Sequence, residues 1–278
     1  MTVKIVTDSA ADLPADQVAA HDIRVVPLTI RFGDDEYVDG VDLTPQAFYD
    51  KMAALDVLPA TAAPSPGAFE VAFREAGANG DPVVCINLSA ALSATMQSAQ
   101  TAAKAIGGDI DLTILDSKSI TAGLGWQVLA AAELAEEGGS VADIVALIDD
   151  LSSRTTVYGA LDTLDNLKKG GRIGGAQAMI GSILSIKPII DISTGSVTEA
   201  GKQRTRKKSL VWLRDKLFEL PDLERVAVCH GCAEDVEEFI ELLAPRYTRE
   251  QLTVWTIGPV IGAHGGPRVI GLVWHNPI

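Results

Sequence analysis

Apolar and polar positions alternate in two different rhythms along this 278-residue chain. In the first half, short runs rich in Val and Ile cover residues 3–6, 23–29, 83–88 and 112–115, and stretches with apolar residues at helical spacing cover 66–76, 94–106 and 123–136. The first pattern suits strands and the second amphipathic helices. Strand followed by helix, repeated, builds a parallel sheet covered on both faces, because parallel neighbours need a long crossover. A further helix is expected at 141–152, after which the rhythm changes. Residues 157–161, 188–192, 196–199, 225–229, 252–257 and 269–274 read as strands, with Ser193-Thr194-Gly195 as a hairpin signal. The expectation is an α/β protein: a doubly wound parallel-sheet N-terminal lobe over 1–155 and a smaller mixed-sheet α+β C-terminal lobe over 156–278. No Pro-rich or Ser-rich linker separates them, so the lobes share an interface, and ligands favour such crevices. No internal repeat or low-complexity tract is visible.

The charge sum, 23 Lys and Arg against 37 Asp and Glu, is −14. Such a surface repels a phosphate backbone, so general nucleic-acid binding is not expected. No apolar stretch approaches the roughly 18 to 20 residues of a membrane-spanning helix. The chain opens on a strand pattern without signal-peptide features, and its three cysteines, Cys85, Cys229 and Cys232, are too few for a secreted disulfide framework. A cytoplasmic location is the expectation.

In open α/β sheets ligands bind beyond the carboxyl ends of the strands, and three such ends carry hydroxyls. After the first strand, Ser9 and Asp12 have capping-box-like spacing. After the run 83–88, Ser93 is the natural N-cap of the next helix, and a helix N-terminus with a hydroxyl can hold an anion. In Thr61-Ala62-Ala63-Pro64-Ser65-Pro66, Ser65 and Pro66 fit the N-cap and first helical residue, which leaves Thr61 free to point elsewhere. Thr61 and Ser93 together offer two donors to one carboxylate or phosphate oxygen, with no metal or acid–base partner. That suits holding an anion rather than transforming it.

Other segments are weaker. Lys168-Lys169-Gly170-Gly171-Arg172-Ile173-Gly174-Gly175 looks like a phosphate loop but lacks the Gly-Lys-Ser/Thr spacing, and no dinucleotide fingerprint is present. Arg172 is either a partner or head-group contact or an exposed loop arginine. In Lys202-Gln203-Arg204-Thr205-Arg206-Lys207-Lys208, a continuing strand would put Lys202, Arg204 and Arg206 on one face, either as a charged edge or as a docking patch for an acidic protein, a phosphate or an anionic lipid surface. His264 sits among glycines as an anion donor, a general base or a structural histidine. Cys229-His230-Gly231-Cys232 has the spacing of a redox dithiol or half a zinc site, but a second ligand pair is missing.

The order and spacing of several pieces carry further meaning: Lys4-Ile5-Val6-Thr7-Asp8-Ser9, Thr61-Ala62-Ala63-Pro64-Ser65-Pro66, Leu88-Ser89-Ala90-Ala91-Leu92-Ser93, Gly171-Arg172-Ile173, Lys187-Pro188-Ile189-Ile190 and Gly258-Pro259-Val260-Ile261-Gly262-Ala263-His264-Gly265-Gly266-Pro267. Together they resemble the DegV family, bacterial fatty-acid-binding subunits also called FakB. The resemblance covers 3–277 and implies one unit of two lobes enclosing one long-chain fatty acid between them. It implies that the hydroxyls of Thr61 and Ser93 hold the carboxylate, with His264 nearby, and that no metal or cofactor is needed. It further implies that a separate fatty-acid kinase phosphorylates the bound acid to an acyl phosphate, using ATP that the carrier does not bind. The chain is then a lipid-binding carrier and not an enzyme, and Arg172, Arg204 and Arg206 are its surface for the kinase or, transiently, for an anionic membrane. Departures from the family pattern are Ala62 and Ala63, where polar residues are usual, Ala94-Thr95-Met96 in place of Gly-Thr-Tyr, and Cys232, and the first two bear on chain-length preference. The alternative is an acyl hydrolase or transferase with Ser93 as nucleophile and His264 as base, against which stand the missing acidic orienter and the absent Gly-x-Ser-x-Gly.

Overall fold

A computed structural model of the protein describes residues 2–55, 57–179, 186–221, 223 and 225–277. The chain opens with β1 (Lys4–Asp8), a 3-10 turn (Ser9–Ala11), α1 (Ala15–Ala20) and β2 (Arg24–Val26). Pro27 follows, and the strand expected over 23–29 is divided there, because proline has no N–H for the ladder. β3 (Thr29–Phe32) begins beyond the break and turns back into β4 (Asp35–Val38). Phe32 pairs with Asp35, so Gly33-Asp34 is a two-residue hairpin loop, with Gly33 at φ +61 where a side chain would be strained. α2 (Pro45–Ala54) and β5 (Ala60–Ala62) come next, and β5 joins β3 and β4 in a small antiparallel sheet.

The doubly wound part is completed by α3 (Pro66–Ala76), β6 (Val83–Asn87), α4 (Thr95–Ile106), β7 (Leu112–Asp116), α5 (Thr121–Glu136) and α6 (Val141–Arg154). Its sheet has the order β2-β1-β6-β7 and is parallel throughout. Every residue of β6 is buried, as its unbroken apolar run requires for a strand covered on both faces. Phe69 and Phe73 of α3 and Ala99, Ala102 and Ile106 of α4 cover one face. The other face is covered by α5, which was expected to be amphipathic. It is buried around almost its whole circumference, because it lies between this sheet and a second one.

α6 runs without a linker into β8 (Thr155–Ala160). Then come α7 (Asp165–Lys169), β9 (Lys187–Asp191), β10 (Thr198–Gln203), α8 (Arg206–Phe218), β11 (Val226–His230), α9 (Val236–Leu243), β12 (Leu252–Thr256), α10 (Pro259–Gly265) and β13 (Ile270–His275). The second sheet has the order β10-β9-β8-β13-β11-β12, antiparallel except between β11 and β12. α8 and α9 cover its outer face with Leu210, Leu213, Leu217, Phe239 and Leu243. Its inner face shares one core with α5 and the parallel sheet. The basic segment corrects an expectation: the strand stops at Gln203, and Thr205 caps α8 by accepting a hydrogen bond from the Lys208 amide. Lys202, Arg204 and Arg206 therefore share no strand face. Among the described residues no helix is long and apolar enough to cross a membrane.

Candidate ligand-binding site

Between the carboxyl end of the parallel sheet and the inner face of the second sheet lies a mainly apolar cavity. Leu28, Leu88 and Ile120 line it from one side and Val157, Ile190 and Val273 from the other. Thr61, Ser93, Arg172 and His264 stand in its wall, and Thr121 and Tyr158 also line it. Thr61, His264 and Arg172 also border one surface depression, and Ser93 and Arg172 a second, so the polar end of the cavity is the end that faces outward.

Each of these side chains is placed by a local device. Thr61 stands on β5, paired with Ile30 of β3. His264 occupies the last turn of α10, a short helix started by Pro259 after Gly258. The hydroxyl of Thr61 and Nε2 of His264 are hydrogen-bonded at 2.9 Å. Two residues missed in the sequence hold the histidine. The Asn166 side-chain amide donates to the Ala263 carbonyl at 3.1 Å. The bare Gly170 lies so close that a Cβ there would stand 2.3 Å from His264 Nδ1. The Gly170-Gly171 pair was the available signal: Gly170 serves this packing, and Gly171, with open space around it, takes the left-handed turn at φ +71. Tyr49 adds a third support, donating to the Ile257 carbonyl at 3.2 Å just before α10.

Ser93 is not the N-cap of α4, which starts two residues later behind Ala94 without a side-chain cap. Its hydroxyl is instead paired with Thr95 Oγ1 at 2.9 Å and accepts from the Thr95 amide. The loop carrying it is held by Asp8, whose carboxylate accepts from the Leu88 amide at 2.7 Å and the Ala10 amide at 3.0 Å. Asp8, and not Ser9, therefore caps the first turn, and Ser9 accepts from the Leu28 amide. Arg172 links the loop after β6 to the turn after α7 by donating from Nε to the Leu92 carbonyl at 3.0 Å and from Nη1 to the Gly170 carbonyl at 2.7 Å.

Burial, helped by the charge of Arg172, pushes the His264 imidazole down to about 4, so it is neutral at ordinary pH and offers one N–H. Arg172 puts a formal positive charge in the cavity wall at this end, and Lys169 borders the depression outside it. The serine and histidine of the hydrolase alternative are not paired: His264 is bonded to Thr61, and Ser93 to Thr95. Arg204 and Arg206 do not border the cavity, and Arg206 is engaged by Asp235 through two bonds of 2.9 and 3.0 Å. Cys229 lines the cavity wall as a buried thiol pushed up to about 12 by burial, and Cys232 is also raised, so the pair has little thiolate character. All three cysteines are free.

The family model for DegV, described as an uncharacterised protein family, matches residues 2–276. The chain belongs to the DegV family. A DegV domain-containing protein of Deinococcus radiodurans is 34% identical over 282 residues, covering 98% of each chain. Among solved structures, a DegV family protein from Thermus thermophilus, described for its fatty acid binding, aligns with a TM-score of 0.90 at 34% identity over 100% of both chains. A stearic acid-binding protein from Eubacterium ventriosum aligns with a TM-score of 0.87 at 30% identity over 98% of both. The DegV fold thus accounts for the parallel sheet and the separate mixed sheet together.

Proposed function

We propose that this chain binds one long-chain fatty acid, with the acyl chain in the cavity between the lobes and the carboxylate at Thr61, Ser93 and His264. The observation that carries it is an apolar space between the two sheets that opens outward past two hydroxyls, a neutral imidazole and an arginine. The fatty-acid binding described for the Thermus and Eubacterium relatives supports it. Each buried methylene contributes about 0.8 kcal/mol, so a modest head-group site suffices for tight binding. The outward-facing carboxylate is then presented, in the cytoplasm, to a separate fatty-acid kinase that forms the acyl phosphate. Arg172, bordering both depressions, and the exposed Arg204 are the contact residues for that kinase or for a transient anionic membrane surface. No step requires a cofactor on the carrier.

The test is native mass spectrometry with lipid extraction of the wild type and of Thr61→Ala with Ser93→Ala. The wild type should carry a stoichiometric fatty acid. Removing two hydrogen bonds to a charged group, at about 1.5–3 kcal/mol each, should weaken binding by 100-fold or more. Unchanged affinity in the double variant would show that the carboxylate lies elsewhere.

A further inference from the structure

One transverse row of residues crosses four strands of the second sheet beneath the cavity. Ile190 on β9 faces Gly159 on β8, Gly159 faces Gly271 on β13, and Gly271 faces Cys229 on β11. All four line the cavity, so its two central strands present no side chain to it at this level. The two glycines are there for different reasons. A Cβ at Gly271 would lie 2.8 Å from the Tyr158 carbonyl oxygen on the neighbouring strand, so the close approach of the backbones demands glycine. A Cβ at Gly159 would meet only Ile190 Cγ1 at 3.4 Å, Ile190 Cδ1 at 3.8 Å and Leu161 Cδ2 at 4.0 Å, which are ordinary contacts, and the backbone there is strand that any residue can adopt. Glycine inside a central strand weakens it. Neither backbone nor packing requires it at 159, which leaves the empty volume above it as its role.

We infer that Gly159 sets the length of acyl chain that the cavity accepts, an inference that rests on the fatty-acid function proposed for the same cavity. A side chain at 159 would project between Val157 and Leu161 into the space of the acyl chain. Each methylene so excluded costs about fourfold in affinity. Acids long enough to pass this level lose affinity with each added carbon, and shorter ones keep theirs.

The experiment measures affinities for saturated acids from laurate to stearate on the wild type, Gly159→Ala and Gly159→Val, together with thermal melts of the ligand-free proteins. The optimum should move to shorter chains. Stearate affinity should fall about fourfold for Gly159→Ala and more than tenfold for Gly159→Val. Ligand-free Gly159→Ala should melt about 1–4 °C higher, because the strand is relieved of a glycine. An equal loss at every chain length, no change at all, or a lower melting temperature for Gly159→Ala overturns the inference while fatty-acid binding stands. If the wild type binds none of the acids, the proposed function itself fails.

Discussion

Gly170→Ala perturbs the head-group end from a residue that does not itself line the cavity, through its contact with His264. The Gly170 backbone is right-handed helical at φ −73, a conformation alanine adopts freely, so the backbone resists nothing. The added Cβ would stand 2.3 Å from His264 Nδ1, 2.8 Å from its Cε1 and 3.0 Å from the Asn166 carbonyl oxygen. The carbonyl belongs to α7 and does not yield, so the imidazole swings away and its 2.9 Å bond to Thr61 is lost. Overpacking of this kind costs about 1–3 kcal/mol of stability. Withdrawing a donor from a carboxylate costs about 1.5–3 kcal/mol of binding, or roughly 10- to 150-fold in affinity. Displacement of a fluorescent fatty acid measures the second quantity and denaturant unfolding the first. Repeating both in a His264→Ala background should erase most of the effect, since the two residues act through one contact. Wild-type affinity in Gly170→Ala, or a loss that persists without the imidazole, would refute the role given to this packing.

Two further outcomes follow from the electrostatics. Burial pushes the Asp8 carboxyl up to about 7, above its unfolded value, so the folded state gains from the bound proton below pH 4 and loses that gain as pH rises towards 7. Asp8→Asn, which gives up one of the two amide bonds, should therefore be least stable relative to wild type near pH 4, and the gap should shift in its favour by on the order of 4 kcal/mol by pH 8, as read by denaturant midpoints. A pH-independent gap would show that Asp8 titrates normally. Arg172→Ala should weaken fatty-acid binding by at least about tenfold and raise the His264 titration midpoint seen by NMR, while burial still keeps it below an ordinary histidine. An unmoved midpoint would mean that the guanidinium charge is not felt at the ring.

Local signals in the sequence located much of the fold. The helix expected at 66–76 is α3 residue for residue, because Ser65 and Pro66 start it and Gly77 stops it within the same stretch of chain. The runs at 3–6, 83–88, 112–115 and 225–229 became β1, β6, β7 and β11 with shifts of one or two residues at their ends. Helix α8 was lost to a strand expectation although Leu210, Leu213 and Leu217 are spaced for a buried helical stripe, because the cationic residues ahead of them read as a charged edge. α5 was given a polar face that it does not have, since its one-sided expectation took no account of a second sheet.

The site divides in the same way. Thr61, Ser93, Arg172 and His264 were legible as hydroxyl, charge and imidazole at loops and helix ends, and by likeness to a family pattern. That Thr61 and His264 touch, although 203 positions apart, and that Asn166, Gly170 and Tyr49 hold the histidine in place, came only with the tertiary structure. Periodicity, capping and turn chemistry act between residues a few positions apart, so the strands of the two larger sheets, helices α3 to α6 and the polar groups of the site could be read along the chain, whereas the small sheet and the shorter helices could not. Which of those groups share one cavity, and which glycine leaves room for a ligand and not merely for a turn, depends on how distant surfaces pack. That was decided by the burial of α5 between the two sheets.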